Sequence, residues 1–218
     1  MTSVTVKTYP TPKLLHMILT IATLSALPPA KGTWDMLAYV LAQYPSLGDA
    51  GLAGYSFLFD NFNPTFGSPA VSGVQASFVL QDTQDAKDML KLWTPIFEHI
   101  NTTWPGFSIV PNITEYSSFW EWYQPNKDDF AAGKNQYIFS RLLDDKALTG
   151  DRNATRDAFR ALSASGTGTA YLVSGKGVWN AKPRGGSNAV LPAWRKAYVH
   201  ASKYPVDQSR STGKLTRL

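Results

Sequence analysis

Apolar and polar positions repeat along this 218-residue chain with two different periods, and the period switches several times. Strict alternation predicts strands, whereas apolar residues three or four positions apart predict helices. Strands are predicted at 3–9, 14–24, 54–59, 71–81, 107–116, 135–143 and 169–175, and a further extended segment is predicted after Pro192. Helices are predicted at 33–44, 82–100 and 151–163, with one or two helical turns at 119–123.

Local signals place the ends of several of these elements. Thr33 is expected to cap the first helix, and Pro45 is expected to end it. Asp82 or Thr83 is expected to cap the second helix. Residues 176–192 are rich in glycine and basic side chains, so the sequence predicts a loop whose backbone approaches a ligand or another chain closely.

The order of the elements predicts an α+β domain built on an antiparallel sheet of about seven strands, with helices packed on one face. The strands come in pairs that are separated by helices, and a regular strand–helix alternation is not seen. Residues 1–202 are assigned to this one domain. Residues 203–218 are polar and basic, and they are expected to form a disordered tail. The second face of the sheet then needs a cover of another kind.

Several of the predicted strand faces mix aromatic rings with hydrogen-bonding groups, as the walls of small-molecule sites do. The chain has 7 Trp, 10 Tyr and 11 Phe, which is more than a core of this size usually needs. We therefore expect a cavity for a flat apolar ligand. The predicted substrate-binding residues are Tyr55, Phe57, Gln75, Tyr171 and Trp179, and the predicted catalytic residues are Tyr137, Arg141 and His200.

A purely structural role is the alternative for each of these residues. Tyr55 and Tyr171 suit packing beneath helices as well as they suit a cavity. Arg141 is expected to be a buried charge, which requires a partner and so favours a site or an interface. His200 is the histidine whose neighbours suit catalysis, and structure is its alternative. His16 lies in an apolar strand and is expected to be structural.

The sequence lacks the residues and motifs that several other classes of chemistry require. Because the chain has no cysteine, it offers no disulfide, no thiol nucleophile and no cysteine zinc site. No glycine-rich phosphate loop, HExxH or GxSxG motif is present, so nucleotide-binding, metalloprotease and serine hydrolase functions are not favoured. No metal site is predicted.

The net charge of +5 is assigned mainly to a solubilising tail, so no nucleic-acid partner is expected. The apolar run at 13–30 is too short to span a bilayer, and a buried strand is favoured over a signal peptide there. Three N-x-[ST] triplets, at Asn101, Asn112 and Asn153, would be glycosylation acceptors in a secretory pathway. The sequence therefore leaves a cytoplasmic and a secretory location both open.

Four segments resemble fungal FAD-linked oxidoreductases of the berberine bridge enzyme-like family. They are TSVTVKTYPTP at 2–12, YPSLGDAGLAGYSF at 44–57, SRLLDDKALTG at 140–150 and GGSNAVLPAWRKAYVHA at 185–201. The likeness keeps a consistent order along the chain. It covers the substrate domain of that family, which the resemblance describes as an antiparallel sheet backed by helices.

The resemblance also implies what this sequence lacks. Family members carry an N-terminal flavin-binding domain with the flavin attachment residues, and neither that domain nor the family's C-terminal motif is found here. Two departures make the best motif less polar: Leu191 stands before Pro192 where Asn is usual, and Trp179 stands where His is common. No cofactor is therefore expected, and FAD is expected only if a separate flavin domain is supplied.

Three functions are compatible with this reading. The first is a flavin-independent relative of the substrate domain that cyclises or isomerises an apolar secondary metabolite, with a Diels–Alder type ring closure as one form. The second is a truncated or split FAD-dependent oxidoreductase that needs a flavin-domain partner. The third is a non-catalytic small-molecule binding protein. The expected partners are a small apolar ligand and a second copy of the chain, which would form a homodimer through the exposed sheet face.

Overall fold

Seven strands form one sheet within the part of the chain that the structure describes, which is residues 3, 8, 10–25, 32–63, 67–127, 138–164, 167–182, 186 and 190–203. The structure is a computed structural model. The strands are β1 (Leu14–Ser25), β2 (Leu52–Phe62), β3 (Ala70–Gln81), β4 (Ser108–Tyr116), β5 (Phe139–Asp144), β6 (Gly168–Leu172) and β7 (Ala197–Lys203). Their order across the sheet is β4-β1-β3-β2-β6-β7-β5, and all neighbouring pairs are antiparallel.

In the described residues, every connection between consecutive strands contains a helix except the one from β2 to β3, so the predicted pairing of strands holds for β2 and β3 alone. The helices are α1 (Thr33–Ala42), α2 (Tyr44–Asp49), α3 (Ala86–Thr103), α4 (Phe119–Asn126), α5 (Asp145–Thr149), α6 (Arg152–Ser163), α7 (Lys176–Trp179) and a 3-10 helix (Pro192–Arg195). The predicted α+β class, with an antiparallel sheet of about seven strands, is confirmed.

One face of the sheet, which we call the covered face, packs against helices and forms the hydrophobic core. Alternate residues of the central strands point to it, because side chains in a strand alternate between faces. Phe78 of β3 contacts Tyr44 of α2 at a ring-centroid distance of 5.8 Å and Trp93 of α3 at 5.2 Å. All three residues are fully buried. The main strand contributions to this core are Leu15, Met17, Leu19, Ile21, Leu58, Val74, Ala76, Leu172 and Val199.

Helix α4 lies over the opposite face, at the β1–β4 side of the sheet. Its Trp122 ring meets the His16 ring edge to face at 6.1 Å. His16 is 4% exposed, and its Nε2 lies 2.6 Å from Ser77 Oγ. This helix covers the β1–β4 side of that face. Beyond it, Tyr55 and Phe57 of β2 are exposed, whereas Thr169 of β6 and Ser202 of β7 are buried.

The start of α1 differs from the prediction by one residue. Gly32 is the N-cap, with a φ of 88°, and no side chain caps the helix. This left-handed backbone conformation suits glycine, so Thr33 becomes the first helical residue. Pro45 does not end the helical region, because it lies in the first turn of α2. Proline is tolerated there since the amide hydrogens of a first turn have no partner within the helix.

The cap of α3 also differs from the prediction. Asp85, and neither Asp82 nor Thr83, is the N-cap, and its carboxylate accepts a hydrogen bond of 2.9 Å from the amide of Lys87. Thr83 instead donates from Oγ1 to the Asp88 carboxylate at 2.8 Å. Asp82, Thr83 and Asp85 are all of residue types that cap helices. The geometry of the first turn selects Asp85.

The segment predicted as a loop and a strand is partly helical. Residues 176–179 form α7, and the extended segment predicted after Pro192 is a 3-10 helix over Pro192–Arg195, followed by β7 from Ala197. Proline at the start of a helical turn fits both its fixed φ and its missing N–H. The prediction of a strand beginning directly after Pro192 was therefore wrong.

Some sequence predictions fall on residues that the structure does not describe. The strand predicted at 3–9 lies mostly outside the described residues, as do positions 135–137 of the strand predicted at 135–143. The tail from 204 onward lies outside them too. The predicted division into a domain at 1–202 and a disordered tail stays a prediction.

Candidate functional site

The second face of the sheet, which we call the open face, carries two neighbouring rows of side chains across all seven strands. Directly paired residues in antiparallel strands share a face, so each row can be followed from strand to strand. The first row is Asn112, Ile18, Ser77, Tyr55, Tyr171, His200 and Leu142. The second row is Val110, Thr20, Gln75, Phe57, Thr169, Ser202 and Ser140.

Five of the rings on and beside these rows form a continuous series, which we call the ring row. Phe57 meets Tyr55 at 5.7 Å, and Tyr55 meets Tyr171 at 6.3 Å. Tyr171 meets His200 at 6.1 Å, and His200 meets Trp194 of the 3-10 helix at 5.1 Å. Edge-to-face and tilted contacts of this kind are favourable, so the rings hold one another in place without a covering layer.

The ring row is accessible to a ligand. Tyr55 is 43% exposed and Phe57 is 37% exposed, although both are large side chains in a central strand. Gln75, next to Phe57, is exposed as well, and Tyr171 and His200 are half-buried. Large rings in the middle of a sheet are usually buried, so their exposure makes this face the candidate site.

Neither row contains a charged side chain, since no Asp, Glu, Lys or Arg occurs among their fourteen positions. Burial lowers the pKa of His200 below its ordinary value, so its imidazole is neutral at neutral pH. Burial also lowers the pKa of His16, which lies beneath α4 beside Ser77. The two rows are therefore uncharged, and their polar groups are hydroxyls, the amides of Asn112 and Gln75, and neutral imidazole.

A depression of about 340 Å³ lies beside the Trp194 end of the ring row. Its lining includes Val173, Ser174, Gly177, Val178, Val190 and Trp194. Trp194 contacts His200 and also lines the depression, so the two features meet at this one side chain.

Trp179 of α7 packs against Tyr198 of β7. Its ring stacks on the Tyr198 ring at 5.3 Å, and Tyr198 donates a hydrogen bond of 2.8 Å to Oδ1 of Asp49. Burial, together with the hydrogen bond to Asp49, raises the pKa of Tyr198 to about 12. The phenol therefore stays protonated and remains a donor, which ties α7 to α2 through two side chains.

The structure brings together five of the residues predicted from the sequence. Tyr55, Phe57, Gln75, Tyr171 and His200 all lie on the two rows of the open face. Their roles as binding and catalytic residues stay predictions. Their placement on one face shows that they share a surface, and it does not show which reaction takes place there.

The other three predicted residues lie elsewhere or outside the described part. Trp179 is 47% exposed and packs on Tyr198 at one end of the site. Arg141 pairs with Ala201, so it belongs to the covered side of the edge strand β5, and it is exposed. The expectation of a buried charge at Arg141 was wrong, because β5 is the last strand of the sheet and no further strand flanks this side chain. Tyr137 lies outside the described residues.

Sequence reasoning missed Trp194 and Ser77 as members of the site. Trp194 was assigned to a strand, but it reaches His200 from a 3-10 helix. The partner of Ser77, His16, lies on a strand 61 residues away in the sequence. The Ser77 contact depends on how distant strands pair, whereas the Trp194 contact depends on the helical turn that precedes β7.

Fold and site together define the class: the chain is related to FAD-linked oxidoreductases, and it has the fold of the matching part of VAO-type flavoproteins. The resemblance read from the motifs is confirmed. "FAD-linked oxidoreductase hmp9" of Hypomyces subiculosus is 27% identical over 199 residues, which is 88% of this chain and 30% of that protein. An "Uncharacterized FAD-linked oxidoreductase" of Arthroderma benhamiae is 28% identical over 175 residues, which is 77% of this chain and 29% of that protein.

A solved structure supports the same relationship. The VAO-type flavoprotein MtVAO713 from Myceliophthora thermophila C1 superposes with a TM-score of 0.76 at 26% identity, covering 88% of this chain and 34% of that one. No family model matches the chain. The chain thus spans about a third of the length of the relatives that it matches.

The open face fits one part of a flavin and not another. Exposed, uncharged rings such as Tyr55 and Phe57 suit contact with a planar ring system. A diphosphate needs backbone amides at a glycine-rich helix start or basic side chains, and this sequence has no such glycine-rich motif. The residues present therefore fit the ring of FAD and leave its diphosphate to residues outside this surface.

The described residues show neither a group of metal-binding side chains nor a membrane-spanning helix. They contain no group of three or more His, Cys, Asp or Glu side chains placed to hold a metal ion. In the same ranges, no helix is both long and apolar enough to cross a membrane.

Proposed function

We propose that the chain is the substrate-binding part of an FAD-linked oxidoreductase, and that the open face is one wall of the active site. The observation that carries this proposal is the uncharged ring row from Phe57 to Trp194, exposed in the middle of the sheet. The relatives named FAD-linked oxidoreductase support it.

The substrate class follows from the chemistry of this wall. Rings in a row stack on or edge against a flat, apolar molecule. The absence of charge in the two rows favours a neutral substrate, because a charged ligand would lose its hydration without gaining a partner. The hydroxyls of Tyr55 and Tyr171 and the neutral imidazole of His200 can orient the oxygens of such a ligand.

Within that proposal the chain and the cofactor have different tasks. When bound, FAD supplies a hydride acceptor. The rings of this chain hold the substrate flat and exclude water from one side of it, which places the reacting carbon without covalent chemistry by the protein. His200 is neutral and half-buried, so it can accept a proton from a substrate hydroxyl.

Binding of a neutral flat probe tests the wall directly. We expect β-naphthol to bind the chain, and Tyr55→Ala and Tyr171→Ala each to weaken its affinity by about threefold to tenfold, since one ring contact contributes ~0.5–1.5 kcal/mol. Isothermal titration calorimetry measures this. Tyr123→Ala is the matched control, because Tyr123 is a similarly exposed tyrosine on α4, outside both rows. Equal affinity in all four proteins would contradict the proposal.

Flavin-independent cyclisation or isomerisation of an apolar metabolite is the second candidate. It is favoured by the depression beside Trp194, which gives a flexible chain a place to fold next to the polar groups of the ring row. Purified protein with no flavin absorbance that converts a linear precursor would support this candidate. No rate above background on such precursors would remove it, and a non-catalytic binding protein would show tight binding without turnover.

A homodimer through the open face would cover the same rings. Tyr55, Phe57 and the exposed Ile18 and Val110 give that face an apolar surface. The mass of the purified protein, measured by light scattering over a range of concentrations, decides the point. If a dimer forms, Phe57→Asp should dissociate it; a monomer at all concentrations would remove the dimer and leave the face to a ligand.

A further inference from the structure

The depression beside the ring row has the features of a separate subsite. It shares Trp194 with the end of the ring row, so a molecule lying along the rings ends at a side chain that also lines the depression. The apolar residues of its lining are Val173, Val178, Ala181, Val190 and Trp194. Arg195 also lines it and already makes an interaction of its own.

One residue of the lining carries a buried polar atom that has no hydrogen-bond partner in the described part of the chain. Ser174 is 7% exposed, and its Oγ makes no hydrogen bond to any of the described residues. Burying a hydroxyl without a partner is unfavourable, so native proteins rarely keep one without a reason. A ligand that brings an acceptor oxygen to this hydroxyl would remove that penalty.

The geometry around Ser174 is fixed by close backbone packing. A Cβ added at Gly48 of α2 would meet the backbone oxygen of Ser174, and one added at Gly175 would meet the backbone of Gly48. The Trp179–Tyr198–Asp49 contacts hold α7 against the same helix. The floor and one wall of the depression are therefore preformed, as binding sites usually are.

We infer that this depression is a specificity subsite that receives an apolar substituent of the ligand, with an acceptor oxygen of that substituent bound by Ser174. This inference rests on the proposed function, since the flat part of the same ligand lies on the ring row. The ligand class becomes a neutral flat ring system that carries an alkyl or acyl chain at one end.

A chain-length series tests the apolar part. β-Naphthol is compared with β-naphthols that carry an ethyl, butyl or hexyl group on the ring distant from the hydroxyl, by calorimetry with the 218-residue chain. We expect affinity to rise by about fourfold for each methylene until the depression is full, because burial of one CH₂ contributes ~0.8 kcal/mol. Affinity that does not change with chain length would overturn the inference.

A large side chain that fills the depression tests the same inference, and the same substitution at a distant glycine is the control. A Cβ added at Gly177, which lines the depression, would meet no atom within 4 Å, and the same is true at Gly106, in a turn far along the chain. Gly177→Phe should abolish the chain-length dependence, with circular dichroism showing that the variant is folded. Gly106→Phe should keep the dependence. A dependence that survives Gly177→Phe would place the alkyl group elsewhere.

The hydroxyl is tested with a pair of ligands. A butanoyl β-naphthol should bind more tightly than the butyl compound, and Ser174→Ala should remove that preference while keeping the chain-length effect. A preference unchanged in Ser174→Ala would overturn the role of Ser174. Failure of β-naphthol to bind at all, or equal binding by Tyr171→Ala, would instead overturn the proposed function, so the two failures can be told apart.

Discussion

The two faces of the sheet are built from the same strands, yet they differ in what they do. On the covered face, Phe78 is fully buried between Tyr44 and Trp93. On the open face, Tyr55 and Phe57 remain about two-fifths exposed in the adjacent strand. One face thus forms the hydrophobic core, and the other leaves rings exposed.

This division has a physical basis in strand geometry. Successive side chains point to opposite faces, so one strand serves both without interference. Close packing on the covered face fixes the strand positions. Because the rings of the open face belong to the same strands, their positions are fixed as well. Contacts between rings, such as Tyr55–Tyr171 at 6.3 Å, keep the spacing of the rings without a helix above them. Stability and binding should therefore respond to different mutations.

The largest difference in the free energy of unfolding is expected when one side chain is truncated on each face of β3. Phe78→Ala should lower the free energy of unfolding by about 3–5 kcal/mol, because it leaves a cavity in the core. Gln75→Ala, three positions earlier and exposed on the open face, should change it by less than about 0.5 kcal/mol. Urea denaturation followed by circular dichroism measures both. Similar losses in the two variants would break the comparison between the faces.

A smaller difference is expected from two tyrosines that each lose a hydroxyl. Ser56 Oγ donates to the carbonyl of Ala170 at 2.8 Å, so Tyr44 donates its hydroxyl to Ser56 at 2.6 Å. Tyr44 is fully buried, and burial raises the pKa of its phenol far above the ordinary range. Tyr44→Phe should cost about 1–2 kcal/mol of unfolding free energy.

Tyr55→Phe is the matched change on the open face, where water can replace any lost hydrogen bond. It should alter the unfolding free energy by less than about 0.5 kcal/mol. Chemical denaturation of both variants and the parent chain gives the two values. An equal cost at Tyr55 would show that the open face also contributes to stability through its hydroxyls.

The smallest effect is expected from pH. Burial lowers the pKa of His200 in the folded chain below the ordinary value of about 6.5 that it has when unfolded. Between those two values the unfolded state binds more protons, so the contribution is fully favourable above about pH 6.5 and stability is lost as the pH falls below it.

Unfolding free energies at about pH 7.5 and about pH 5.5 test this. The parent chain should lose stability at the lower pH, and His200→Gln should lose less because the titrating group is gone. Other titrating groups are the same in both proteins, so the difference isolates His200. An identical loss in the two proteins would mean that His200 titrates equally in the folded and unfolded states.

Much of the fold could be read from the sequence, because its signals are local. The alternation that put Tyr55 and Phe57 on one side, and Gln75 with Ser77 on one side of the next strand, matches β2 and β3. Of the apolar residues at helical spacing in α3, Met89, Trp93, Ile96 and Ile100 are buried, whereas Leu90 is 37% exposed. These patterns hold because a strand or helix repeats its own geometry over a few residues.

The errors share a different cause. Gly32 in place of Thr33 at the start of α1, and Asp85 in place of Asp82 or Thr83 at the start of α3, depend on the backbone angles of one turn. The exposure of Arg141 depends on β5 being the last strand of the sheet. Neither the angles nor the strand order can be read from a run of residues.

By itself, the sequence determined which residues of each strand share a face, the antiparallel α+β class, and the likeness to fungal FAD-linked oxidoreductases. Only the tertiary structure decided that Phe57, Tyr55, Tyr171, His200 and Trp194 form one row, and that the row ends at a depression containing Ser174. The reason is physical: the direction of a side chain within a strand is local, whereas the register between β2, β6 and β7 is set by packing on the covered face.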